Sequence, residues 1–213
     1  MRKILFIICW ALAGVGLYSC SLDEPSYGKT TSDNYYQKES DIEQALTGAY
    51  LQLRTTWNEY ALNHYFVGDC STDDALKGGG NDGDRAEVRD LSDFTIYTTN
   101  GEIGRRWEIL YRLINRCNDV IYYAPDAIGN EELLKRYANE AKALRAFGYY
   151  CLVTTFGEVP LITTPMQPAE ILQIPRSPLE KVYECIVNDL TDASALPAKG
   201  CLLYTSPSPR DRG

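Results

Sequence analysis

The chain has 213 residues, with 29 acidic against 21 basic side chains, 45% hydrophobic and 11% aromatic. That composition supports one globular domain or slightly more, and it excludes a disordered or collagen-like chain. A net charge of −8 speaks against nucleic acid as a partner, because phosphate binding needs clustered Lys and Arg.

Residues 1–19 carry Arg2 and Lys3, then an uncharged stretch from Ile4 to Tyr18. The stretch is too short for a membrane span but suits the apolar region of a signal peptide. Without it, 19 bases face 29 acids, a charge of −10. Leu17-Tyr18-Ser19-Cys20, followed by polar Ser21-Leu22-Asp23-Glu24-Pro25, resembles a bacterial lipobox. Cys20 is therefore expected to be lipidated and to hold the protein to a membrane. No later apolar run is long enough to span a bilayer. Residues 20–37 are polar and without periodicity, and they read as a tether.

A helical domain is expected over residues 38–200. Ser40-Asp41-Ile42-Glu43 has the pattern of a capping box. Ile42, Ala45, Leu46, Ala49 and Leu53 follow at helical spacing, predicting a first helix to about residue 55. Residues 67–101 are rich in Gly and Asp, notably Gly78-Gly79-Gly80-Asn81-Asp82-Gly83-Asp84, and predict a long irregular segment. Within it, Phe94–Thr99 reads as a short extended piece. Asp73 and Asp74 are assigned to loop structure, as acceptors for nearby backbone N–H groups.

Three strongly periodic helices come next. Ile103, Trp107, Leu110, Ile114, Cys117 and Ile121 form one stripe, closed by Pro125. Leu134, Tyr137, Ala141, Leu144, Gly148 and Leu152 form the second, with small residues permitting close helix approach and Gly157 as its stop. An extended connector from Glu158 to Arg176 leads to Ser177-Pro178-Leu179-Glu180, a second capping-box pattern. Leu179, Val182, Ile186, Leu190 and Ala193 form the third stripe. The fold class is mainly α, with tetratricopeptide-like helix pairs beside a long irregular loop region.

Beyond Cys9 and Cys20, five cysteines remain with no C-x-x-C pair, and they read as buried free thiols. The lone histidine, His64, argues against a zinc site, so no metal and no cofactor are expected. Asp73-Asp74 and Asp82/Asp84 have the residue types of a glycosidase pair, but adjacent acids in a Gly-rich loop form turns. Gly78-Gly79-Gly80 is followed by Asn rather than Lys-Ser/Thr, so it is no phosphate loop. No enzymatic activity is expected.

Trp107-Glu108-Ile109-Leu110-Tyr111-Arg112-Leu113-Ile114-Asn115-Arg116-Cys117-Asn118 resembles the W-x-x-L/I-Y-x-x-I-x-x-x-N helix of the SusD/RagB family. Glu140–Val153 resembles its E-A-x-x-L-R-A-x-x-Y-x-x-L helix, and Phe156-Gly157-Glu158-Val159-Pro160-Leu161 its F-G-x-V-P-L continuation. Arg176, Pro178 and Asp189-Leu190 match the R-x-P and D-L segment, and Gly68-Asp69 with Thr72-Asp73-Asp74 an early acidic loop. The resemblance implies a truncated SusD-like α-superhelix, the N-terminal part of a chain about twice this length or more.

It further implies an outer-membrane lipoprotein facing the cell exterior. Such a protein binds a nutrient, most often a glycan, and delivers it to a SusC-like TonB-dependent transporter. The alternative is a surface lipoprotein whose helical scaffold only docks a protein partner. A sugar site needs an aromatic face and fixed polar groups close together. On irregular backbone that combination occurs at Arg89, Tyr97, Asn100 and Glu102, which are the expected ligand contacts. Replacing Tyr97 or Asn100 is expected to weaken binding with little effect on melting. A tryptophan is common in the family where this chain has Ile96-Tyr97. Trp107 and Tyr111 are expected in the core. Residues 201–213 break from the preceding composition and resemble a translated sequencing-adapter string, so a non-native tail that packs on nothing is expected there.

Overall fold

In a computed structural model the described residues are 35–53, 64–81 and 83–196, all within one compact unit, Asp33–Gly213. The expected signal peptide, Cys20, most of the expected tether, residues 54–63, Asp82, Cys201 and the expected non-native tail lie outside them. Among the described residues there are seven helices and no strands, so the mainly-α expectation holds. No described helix is long and apolar enough to cross a membrane.

The first helix, α1, spans Glu39–Tyr50 and continues as a 3-10 turn, Leu51–Leu53. Its cap differs from the sequence expectation. The Lys38 N–H donates to Asp41 Oδ2 at 2.9 Å, and Ser40 sits inside the first turn. The cause is tertiary. Glu39 N–H donates to Ile128 O and Ile128 N–H to Gln37 O, which fixes the chain earlier than Ser40. The fold accordingly reaches back before residue 38. Tyr36 stacks on Tyr123 at 4.4 Å, and its hydroxyl donates to Asp119 Oδ2.

A short helix, α2 (His64–Val67), ends where the stretch expected to be irregular begins, and a second, α3 (Ala86–Ser92), interrupts that stretch. They bury Phe66, Cys70, Val88 and Leu91 together, with Ile103 packed against them. Glycine and aspartate density marked the loop correctly but hid these seven residues, Ala86–Ser92, because α3 has only two buried side chains to signal it.

The bundle consists of α4 (Gly101–Tyr123), α5 (Glu131–Phe156) and α7 (Leu179–Ala193), with α1 packed on α4 and α5. Pro125 lies in the 3-10 turn that follows α4, and Gly157 closes α5 with φ 72°. Gly148 lets α4 and α5 come close: a Cβ there would stand 3.0 Å from Ile114 Cγ1. The connector is not wholly extended, since α6 (Pro168–Ile171) interrupts it. Pro178 is the N-cap of α7 and no side chain caps that end, because Ser177 is drawn into a bridge with Val159.

The buried stripes are rotated slightly from the sequence reading. On α4, Leu110, Leu113, Ile114, Cys117 and Val120 are fully enclosed, while Ile103, Trp107 and Ile121 are half-buried. On α7 the line runs Val182, Ile186, Asp189, leaving Leu190 half exposed. Asp189 takes that place because α5 delivers Arg145 to it. Arg145 Nε and Nη2 reach the two Asp189 oxygens, each at 2.8 Å. Arg145 Nη1 also donates to Asn118 Oδ1 and Thr163 O, and Asn118 Nδ2 to Ile162 O. Burial alone would lower the guanidinium pKa, but the Asp189 carboxylate outweighs it and raises the value. One buried network thus ties α4, α5, α7 and the connector.

Candidate functional site

The four expected ligand residues fall at the junction of α3 and α4. The turn between them, residues 93–100, is irregular and almost wholly exposed, with Tyr97 65% exposed. It contains no strand, contrary to the extended piece expected at 94–99.

Asn100 ends the turn, and its role is architectural. Its Oδ1 accepts from the Glu102 and Ile103 N–H groups at 3.0 and 3.3 Å, capping α4. Its Nδ2 donates to Glu87 O at 2.9 Å, which ties α4 to α3. The Gly101 N–H donates to Glu87 Oε1 as well. With Asn100 buried and committed to the cap, its removal must cost stability, which corrects the expectation of an unchanged melting temperature. Glu102 is also buried and pairs with Arg85 at 3.3 Å. Arg89 is half-buried and lies 3.5 Å from Asp90 Oδ1. Of the four, Tyr97 is the most exposed, and the Arg89 side chain also keeps 40% of its surface in solvent.

The loop ahead of α3 is organised by residues other than Asp73 and Asp74, which are both exposed. Asn81 Oδ1 accepts from the Gly83 and Asp84 N–H groups, and Asp84 Oδ2 from the Gly80 N–H. The Asn81 side chain, two and three residues from its targets, makes a local turn of this kind. Arg85 enters α3 in a left-handed conformation, φ 47°, with its guanidinium 5.0 Å from the Phe66 ring.

Beside the turn lies a hollow of about 370 Å³, lined by Leu91, Ile96, Ile103, Arg106, Thr154 and Thr155. Arg106 is buried, its Nε donating to Thr155 Oγ1 at 2.9 Å, and desolvation lowers its pKa. Neither Arg106 nor Phe94, a residue 72% exposed, is singled out by the sequence. Arg106 sits on a helix where arginine is commonplace, so its burial left no signal.

Trp107 and Tyr111 fall beside the core. Trp107 meets Phe156 edge-on at 5.0 Å and Tyr111 at 4.8 Å, and the Tyr111 hydroxyl donates to Pro160 O. These motif residues fasten α4 to the end of α5 and its connector.

A SusD-like family model, described as starch-binding and associating with the outer membrane, matches residues 21–208. The chain belongs to the SusD-like family. It is 30% identical over 193 residues to SusD-like protein P2 of Formosa agariphila, covering 88% of this chain and 36% of that protein. To SusD-like protein P25 of the same organism it is 25% identical, covering 88% and 37%. Among solved structures it is similar to a laminarin-binding SusD-like protein, at 30% identity and a TM-score of 0.66, covering 74% of this chain and 34% of that one. Surface glycan-binding protein A of Bacteroides uniformis is similar at 28% identity and a TM-score of 0.67, covering 78% and 36%. The chain thus spans roughly a third of the length of these SusD-like relatives.

Proposed function

We propose that this chain is the N-terminal part of a surface lipoprotein that binds a nutrient glycan and delivers it to a TonB-dependent transporter. It acts without cleaving the glycan. Lipid attachment at Cys20 holds it to the outer membrane, facing the exterior. The observation that carries the reading is the turn at 93–100, where Tyr97 stands in solvent on irregular backbone fixed from behind by a buried polar frame. A sugar ring needs an aromatic face of that kind, held rigidly enough to avoid an ordering cost. In this reading Tyr97 and Arg89 meet the ligand, while Asn100 and Glu102 hold the turn in place. Similarity to a laminarin-binding relative makes laminarin the first glycan to try.

The test is calorimetric titration of the chain with laminarin and a panel of other linear glycans. Tyr97→Ala should weaken binding about tenfold, with melting nearly unchanged. Equal affinity would move the site elsewhere, and release of shortened products from any glycan would refute the non-catalytic reading.

A second reading has its own observation. The outer face of α7 exposes Leu179, Tyr183, Val187 and Leu190 at helical spacing. An apolar stripe of that size fits contact with further protein. Retained glycan binding after its replacement by polar residues would separate this surface from the sugar site.

A further inference from the structure

Phe94 stands where a helix end normally has glycine. The Phe94 N–H donates to Leu91 O at 3.3 Å and the Thr95 N–H to Asp90 O at 2.9 Å. Those two bonds are the pair that defines a Schellman ending, and they force the residue between cap and exit into the left-handed region. Phe94 has φ 55° accordingly. A Cβ is crowded against the following carbonyl in that conformation, which is why glycine is preferred and a bulky aromatic is exceptional.

Packing does not explain the choice, because the ring is left in solvent. Nor does the apolar contact that often accompanies this ending, since its two positions are here Thr95 and Asp90. Strained backbone that carries an exposed side chain is a mark of a working position. Three residues later, Tyr97 is exposed on the same turn.

We propose that Phe94 is a second aromatic contact for the glycan, working with Tyr97 across the α3–α4 turn. The inference rests on the glycan-binding reading above and deepens it. A phenyl ring has no polar atom, so Phe94 can recognise only the apolar C–H face of a pyranose. That face is broadest when the hydroxyls are equatorial, as in gluco-configured sugars. Two rings on one turn also favour an oligosaccharide over a monosaccharide, because each ring can take a separate sugar unit. Hydroxyl recognition then falls to neighbouring polar groups.

Glycine is the informative replacement, because Phe94→Gly removes the ring and the strain together. With the whole chain and laminarin as probe, the affinity should fall about tenfold while the melting temperature stays level or rises. Phe94→Trp should hold affinity near that of the unaltered chain. Unchanged affinity in Phe94→Gly overturns the proposal whatever the melting temperature does, as does a lowered melting temperature with affinity intact. Intact glycan affinity with lost retention on transporter-bearing membranes would overturn it in favour of a protein contact. Failure of the unaltered chain to bind laminarin or any panel glycan refutes the glycan reading itself, and the Phe94 proposal with it.

Discussion

The two ends of α4 are built by opposite uses of the same residue types. Over its C-terminal half, apolar side chains are enclosed by α1 and α5, and the charged Arg145–Asp189 pair is buried beside them. At its N-terminal end the polar groups Asn100 and Glu102 are buried, while Phe94 and Tyr97 are left outside. Rigidity is the common result. In the bundle it serves the fold, and at the turn it holds exposed rings still. Buried polar groups therefore mark structure in both regions.

The contrast can be tested by the size of the stability loss. The largest is expected at the buried ion pair, where Arg145→Ala leaves Asp189 uncompensated and should cost about 3–5 kcal/mol by chemical denaturation. Replacing both partners by apolar residues, Arg145→Met with Asp189→Leu, should cost less than either change alone. If the double change is the worst of the three, the network does not act as a pair. Trp107→Ala should lose about 3 kcal/mol, at the lower end of large core truncations because the ring is only half-buried. Unchanged melting with lost binding would instead make it a ligand residue.

Alkaline pH probes the bundle from another side. Burial pushes the Cys117 thiol up to about 12, from an ordinary value of 9.0. The unfolded chain then releases this proton first, so the stability is fully present below about pH 9 and is lost as pH rises toward 12. Each pH unit in that window should remove about 1.4 kcal/mol through this one thiol. Comparing unfolding of the unaltered chain and Cys117→Ala between pH 8 and 11 reads the difference; parallel curves would remove the thiol from the account. The smallest loss is expected at the turn, where Asn100→Ala should cost about 1 kcal/mol by removing the α4 cap. Hydrogen exchange at the Glu102 and Ile103 amides should rise in that variant while exchange in α5 stays unchanged.

The sequence by itself determined the three long helices, their stops at Pro125 and Gly157, and the family to which the chain belongs. These are local or periodic signals: a stripe every three or four residues, a proline, a glycine at φ 72°. It also singled out a stretch for a candidate site, because aromatic and polar residues are close together in sequence there. Tertiary structure decided which of those residues are available. Asn100 and Glu102 look like ligand groups in a string of letters, yet a cap and partners at the start of α3 draw them inward. Arg145 and Asp189 lie 44 residues apart, so no local pattern could show that each fills the other's place in the core. The start of α1 moved for the same reason, since Ile128 reaches it from the far end of α4. Phe94 is the sharpest case: phenylalanine predicts burial, and only the left-handed end of α3 puts it in water.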